Sequence, residues 1–255
     1  MRLSSNRTNL VQVAYTRSMR NTYCLLALPL AALTIALTAC EIDNDVPTGP
    51  LKDEKVAIDL NKAERAYVEL DMAAGEMDIR GGTPRLLSGN LEYNVPDWKP
   101  EITSSQDGGV ANVTIRQPKH AGARNTRYQW NLNVNERVPL DLKLNCGAGE
   151  AKLNLGDMNL RTVSVQMGAG KVDLSLEGHP THDYSVNING GVGEAIIHLP
   201  QGVGIRAEAH GGLGSIDVQG LTKHADYYSN DLYGKSDVNV ALKRNGGLGE
   251  IRILD

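Results

Sequence analysis

After Leu37, apolar and polar side chains alternate with a period of two along almost the entire chain. Five stretches share one layout, an alternating run, a G-x-G and a second alternating run: LKLNCGAGEAKLNL from Leu142, VSVQMGAGKVDLSL from Val163, VNINGGVGEAIIHL from Val186, IRAEAHGGLGSIDV from Ile205 and VNVALKRNGGLGEIRIL from Val238. Marked by the first glycine of each G-x-G, they fall at Gly147, Gly168, Gly191, Gly212 and Gly247, in steps of 21, 23, 21 and 35. Alternation predicts strands. A strand-hinge-strand unit returning about every twenty residues predicts stacked repeats. The expected fold is therefore all-β, a single-stranded β-helix or β-solenoid of roughly 20-residue coils, each coil lying on the one before it in sequence.

The earlier part of the chain carries the same signal more weakly. Val68, Leu70 and Met72 alternate with Tyr67, Glu69 and Asp71, then Ala73-Ala74-Gly75-Glu76 stands as a hinge one glycine short, followed by Met77 and Ile79. Further alternating runs carry Leu91, Tyr93 and Val95, then Val113 and Ile115, then Tyr128, Trp130, Leu132 and Val134, then Val138 and Leu140. No stretch after Leu37 has a helical period, so almost no helix is expected.

Aligned on their hinges, the repeats give columns. Ala151, Val172, Ala195, Ile216, Ile251 and Leu153, Leu174, Ile197, Val218, Ile253 are the predicted buried face. Between them run charged columns, Glu150, Lys171, Glu194, Ser215, Glu250 and Lys152, Asp173, Ile196, Asp217, Arg252, in which sign alternates between neighbours. Such cross-strand pairs contribute about 0.2–1 kcal/mol each and help fix register. Before the hinge stand Asn145, Gln166, Asn189, His210 and Asn245. Stacked amides donate and accept along a column, either as an internal ladder or as a solvent-facing polar row.

Composition agrees with a thin core. The 255 residues include no Phe and 4% aromatics, which leaves Val, Ile, Leu, Ala and Met as the expected interior. Residues 1–39 hold four Arg and no acid; without them 22 basic and 30 acidic side chains remain, a net charge of −8. That balance argues against a binder of nucleic-acid phosphates.

The first forty residues read as an address and an anchor. Arg17 and Arg20 precede the apolar run Cys24–Leu37, long enough for a signal peptide and too short to span a bilayer. It ends Leu37-Thr38-Ala39-Cys40, which resembles the bacterial lipobox and implies cleavage before Cys40 and its acylation, hence a membrane partner. An ordinary secretory signal with a chance Cys is the alternative, and Met19-Arg20 also reads as a start. The expected organisation is a lipoprotein signal peptide over 1–39, a flexible tether over 40–55 rich in acids and proline, an N-terminal β region over 56–135, and β-solenoid repeats over 136–255 continuous with it.

Candidate chemistry is sparse. With Cys24 in the leader and Cys40 lipidated, Cys146 is left alone and takes the place of Met167 in the next repeat, so it reads as a small core hydrophobe. A strand follows every G-x-G, where a phosphate loop would need a helix N-terminus. Gly211-Gly212-Leu213-Gly214 opens like a calcium-binding repeat, but Ile216 occupies the acid position. His179, His182 and Asp183 offer metal-ligating groups in a loop with Pro180, and Lys119, His120, Arg124 and Arg127 form a basic loop able to touch an anionic surface. An insertion over 222–235 explains the long last step; its Tyr227, Tyr228 and Tyr233 form either a contact patch for protein or glycan or a cover over the edge of the final coil.

The run from Val68 to Pro100 resembles the N-terminal domain of the bacterial toast-rack family, a domain of unknown function found in envelope proteins. The likeness rests on Ala74-Gly75-Glu76, Gly81-Gly82, Leu86-Leu87, Gly89, Tyr93-Asn94-Val95-Pro96 and Lys99-Pro100, with Ala73 departing from the glycine of later copies. The repeats after Leu142 resemble adhesin-head β-solenoids and the C-terminal domains of membrane proteins in cell-wall antibiotic responses. The resemblance implies a fold and an envelope location and brings no catalytic residues, metal or cofactor. The expected function is that of a non-catalytic envelope lipoprotein displaying a surface for binding or scaffolding, with an envelope protein or glycan as partner. Two alternatives stand beside it, a carbohydrate-active β-helix enzyme and a module that assembles through the edge of its C-terminal coil.

Overall fold

The alternation becomes backbone pairing throughout. The computed structural model describes residues 47–118 and 125–255. The leader, Cys40, Lys119, His120 and Arg124 lie outside the described residues. The strands are β1 (Lys52–Ile58), β2 (Arg65–Arg80), β3 (Leu87–Tyr93), β4 (Glu101–Asp107), β5 (Val110–Arg116), β6 (Tyr128–Val134), β7 (Leu140–Asn154), β8 (Leu160–Ser175), β9 (Tyr184–His198), β10 (Gly204–His210), β11 (Leu213–Val218), β12 (Thr222–Lys223), β13 (Tyr228–Ser229) and β14 (Asn239–Leu254). The fold is all-β, and among the described residues the one helical turn is a 3-10 turn at Pro96–Trp98. β1 takes in Lys52–Lys55 from the stretch read as a tether, because β3 offers those residues a complete antiparallel ladder.

All the strands join one open sheet, whose main path runs β1-β3-β6-β2-β7-β8-β9-β14-β10-β13-β12, with β4, β5 and β11 off it. β2, β7, β8, β9 and β14 are long strands that pass through their hinges, and each acts as one rung. From β2 to β14 the rungs pair parallel and in register, so that Gly75, Gly149, Gly170, Gly193 and Gly249 form one column. The short first hinge is therefore a true member of the series, with Ala74 over Ala148.

The last two repeats do not stack in sequence order. β14 lies between β9 and β10, pairing Ala195 with Ile251 on one side and Ile216 with Ile251 on the other. The expected contact between Ala195 and Ile216 is replaced by a whole intervening rung, and the C-terminal strand lies inside the sheet. The reason lies in the two sequences. β14 runs unbroken through its hinge and buries Val240, Leu242, Ile251 and Ile253. The fourth repeat breaks at Gly211-Gly212 into β10 and β11 and offers the smaller Ala207 and Ala209 inward. An interior rung must satisfy both edges along its full length, so the interrupted repeat takes the end position, and Ile216 and Val218 are not in the fully buried face. The 222–235 insertion follows it there, with β13 pairing antiparallel to β10. It covers the β10 part of the fourth repeat's edge, not the edge of the final repeat.

The core is apolar as predicted along the rungs, with Leu144, Val165 and Ile188 in one column and Leu153, Leu174, Ile197 and Ile253 in another. It is not wholly aliphatic. Tyr93, Trp98, Tyr128 and Trp130 gather between β3, β6 and the 3-10 turn, with Tyr128 and Trp130 ring centres 5.8 Å apart. Among the described residues, four of the five buried aromatic side chains thus lie at the antiparallel end, and the fifth, Tyr184, opens β9.

At each hinge, backbone packs on backbone. Gly170 has φ +134°, and a Cβ there would fall on the carbonyl oxygen of Gly149; the same holds for Gly193 over Gly170. Gly170→Val should therefore destabilise the fold by about 3 kcal/mol or more, measured as the urea midpoint, while Ala169→Val, at the exposed apex of the same hinge, should change it by about 0.5 kcal/mol at most.

Candidate binding surface

The turn of the backbone at the G-x-G column leaves a trough across the rungs, beside the hinge. Its volume is about 910 Å³, and its polar lining includes Asp71, Lys143, Asn145, Gln166, Asn189 and Asn245. Period-two alternation turns these side chains away from the core, and the parallel register lays them in one row, Asp71 beside Asn145, Gln166, Asn189 and Asn245, with His210 at the far end. The amide column is accordingly a solvent-facing row and not an internal ladder. One link is formed within it, the Asn245 Nδ2–H donating to Asn189 Oδ1 at 2.9 Å. Among the described residues, the Asn145 and Gln166 amides make no hydrogen bond to one another and face the trough.

The first hinge is closed by a side chain from elsewhere. Gln117 is buried, and its Oε1 accepts hydrogen bonds from the N–H groups of Ala73 and Ala74 at 2.8 and 3.0 Å. It satisfies the donors that a further rung would otherwise take.

On the other side of the hinge part of the charged columns pairs up around Glu194. Lys171 Nζ lies 3.2 Å from Glu194, Arg252 pairs with the same carboxylate, and Arg252 Nε reaches Glu250 at 3.3 Å. Register places Glu194 directly beside Glu250, and Arg252 offsets that opposition of like charges. The Arg252 hydrogen bond, then that of Lys171, holds the Glu194 carboxyl below its usual range against the opposing effect of burial. These pairs around Glu194 and Glu250 are structural.

Beneath the hinge the rungs are filled in different ways. Met72, Cys146 and Met167 form one inward column, which continues as Gly190 and Gly246. The guanidinium of Arg244 occupies the space those two glycines leave; a Cβ at either would meet it at 2.9 or 2.8 Å. Arg244 is only 5% exposed, donates from one terminal nitrogen to the Asn245 carbonyl and has no partner at Nε. Burial pushes its pKa down. Nothing in the alternation pattern of β14 marks it as inward-facing except its parity with Leu242. Cys146 is buried, and burial raises its thiol to about 11 against a weak contact to the Ala148 carbonyl, so it is a packing residue.

The remaining candidates are held by structural bonds. His182 Nε2 donates to the Leu160 carbonyl at 2.8 Å, and Asp183 accepts the Asn239 N–H at 2.7 Å. Asp217 accepts from Gln219 Nε2. Among the described residues no three His, Cys, Asp or Glu side chains converge on a metal position. Arg127 pairs with Glu92 at 3.3 Å. In the insertion, Tyr227 stacks on His224 at 4.5 Å and lies under the Arg206 guanidinium at 4.2 Å, Tyr228 is half-buried in β13, and Tyr233 is exposed.

Residues 47–198 match the family described as the N-terminal domain of toast_rack, DUF2154. The chain belongs to the toast-rack family. A crystal structure from Clostridium sporogenes, of a protein assigned provisionally to cell adhesion, superposes on this toast-rack chain with a TM-score of 0.78 and 34% identity, covering 80% of it and 99% of the other. Provisionally assigned adhesins from Bacteroides fragilis (8% identity, TM-score 0.26, covering 82% and 99%) and Parabacteroides distasonis (12%, 0.24, 81% and 98%) align far more loosely. No curated protein matches the sequence.

Met72 and Met167 fill on β2 and β8 the space that Arg244 fills here, and a buried cation without a counter-charge costs stability. Arg244→Met should raise the unfolding free energy by about 1–3 kcal/mol, read from urea denaturation; a lower midpoint would mean that the guanidinium has a stabilising partner.

Proposed function

We propose that this toast-rack chain is a non-catalytic cell-envelope lipoprotein, anchored by acylated Cys40, that holds an extended polar ligand in the amide trough. Each bent strand with its short return reads as one coil of a β-solenoid. The observation that carries the proposal is the row Asn145, Gln166, Asn189 and Asn245, set out on successive rungs in a trough of about 910 Å³. Parallel strands stand about 4.8 Å apart, so the row repeats on a scale close to that of one sugar ring. Amides that both donate and accept suit hydroxyl-rich or backbone partners without demanding a charge.

Three further facts support the reading. The relative from Clostridium sporogenes is assigned provisionally to cell adhesion and is matched over nearly its full length. The sequence Leu37-Thr38-Ala39-Cys40 has the form of a lipobox. Glu194 and Glu250 beside the hinge are taken up in pairs with Lys171 and Arg252, which removes these two from the free carboxyl pair that glycoside cleavage needs. The partner class is an envelope glycan or protein.

The test is retention on purified cell-wall sacculi and on a glycan array, using the mature chain made soluble by Cys40→Ser. Gln166→Leu with Asn189→Leu removes two hydrogen-bonding rungs and should weaken retention about tenfold or more, with the circular dichroism spectrum unchanged. Equal retention by the double variant would remove the trough from the proposal. For the anchor, metabolic labelling with a fatty-acid probe should mark the wild type and be lost in Cys40→Ala; label that persists in the variant would refute acylation at that residue.

A further inference from the structure

The two ends of the sheet are finished differently. At the first end, Gln117 seals the hinge of β2, and the outer strands carry polar protection: β1 begins Lys52-Asp53-Glu54-Lys55, and β4 reads Glu101-Ile102-Thr103-Ser104-Ser105-Gln106-Asp107. Charges and polar groups along an edge are how sheets avoid unplanned pairing. At the other end the insertion pairs only with β10, through Arg206 with Ser229 and Ala207 with Tyr228. β11 pairs with β14 on one side and, among the described residues, with nothing on the other.

This bare strand also exposes large apolar side chains. Leu213 is 74% exposed and Ile216 39%. Leu213 continues in register into Leu248 (49%) and Val192 (53%), a ridge at the hinge apex whose earlier members are the small Ala169, Ala148 and Ala74. The ridge thus grows in apolar bulk toward the open edge. The core row ends there too, since Ile216 sits beside buried Ile251 with no residue on its outer side.

We propose that β11 is a docking edge for β11 of a second copy of this chain, paired antiparallel about a two-fold axis through Ile216. The strand is complementary to itself in that register. Ile216 faces Ile216 of the second copy, Gly214 faces Val218, and Ser215 faces Asp217, so the inward row continues as an apolar row and the outward row sets a hydroxyl against a carboxylate. Moving the axis to Asp217 opposes two carboxylates, which is unfavourable; moving it to Ser215 sets Asp217 against Leu213. A shift to an intermediate register would turn core-facing residues outward. A two-fold contact of this kind closes on itself and gives a dimer, not a fibre, and it joins the two sheets edge to edge. The expected edge of assembly is therefore that of the fourth repeat, because the C-terminal strand is enclosed.

The proposal is tested in membranes carrying the full chain, independently of the trough. Paired residues on antiparallel strands lie within disulfide reach, so Ile216→Cys should give a dimer-sized band on mild oxidation that reduction removes, and Ser175→Cys on an interior rung should not. In detergent, a dilution series should show a reversible dimer whose dissociation constant rises about tenfold or more in Ile216→Glu, which opposes two carboxylates at the axis. Ile216 is partly exposed, so circular dichroism of this variant should match the wild type. Monomer at every concentration, an unchanged constant in Ile216→Glu, or Ile216→Cys cross-linking to a different protein would overturn it.

Discussion

The close approach of main chain to main chain at the hinges is the constraint on which the molecule depends. Parallel rungs must turn together, and at the turn there is room for no side chain between Gly149, Gly170, Gly193 and Gly249. Glycine is needed at that column both for its positive φ and for the missing Cβ, whereas the first glycine of each G-x-G, such as Gly168, is needed only for the close approach. Once those backbones are in contact, register is set for every residue on either side. The core columns, the paired charges and the amide row are all consequences of one alignment.

Within that alignment the rungs differ in what fills them. Met72, Cys146 and Met167 occupy the space beneath the hinge on one half of the stack, and glycines with a buried guanidinium occupy it on the other. A change of side chain on one rung is balanced by its spatial neighbour. Arg244 fits where Gly190 leaves space, which ties β14 to β9 specifically, and Arg252 meets Glu194 across the same junction. These local matches agree with the interior position of β14.

Much of this was legible in the residues. The hinge spacing identified the rungs, parity identified their buried columns, and the likeness of Val68–Pro100 to the toast-rack domain pointed to the family that the full comparison established. The order of the last two rungs was not legible from periodicity, because both copies carry the same motif and a repeat pattern says which strands are alike, not which are adjacent. The step of 35 residues marked an excursion there, and the break at Gly211-Gly212 marked the weaker rung. Gln117 was invisible for another reason: its partners Ala73 and Ala74 lie more than forty residues away, and a lone Gln at the end of a strand has no distinguishing signal. Arg244 was hidden by its chemistry, since a cation at an inward parity contradicts the rule that revealed its neighbours.

The enclosed position of the C-terminal strand has a consequence for biogenesis. In a repeat protein read off in spatial order, each layer can settle on its predecessor as it emerges, and early termination trims only the tip. Here β10 meets only the short β13, and β11 no strand at all among the described residues, until Asn239–Leu254 arrives to separate them from β9. A chain threaded through a membrane from its amino end would hold that layer in waiting until Asn239–Leu254 had crossed, and the loss of that strand would open a gap inside the sheet.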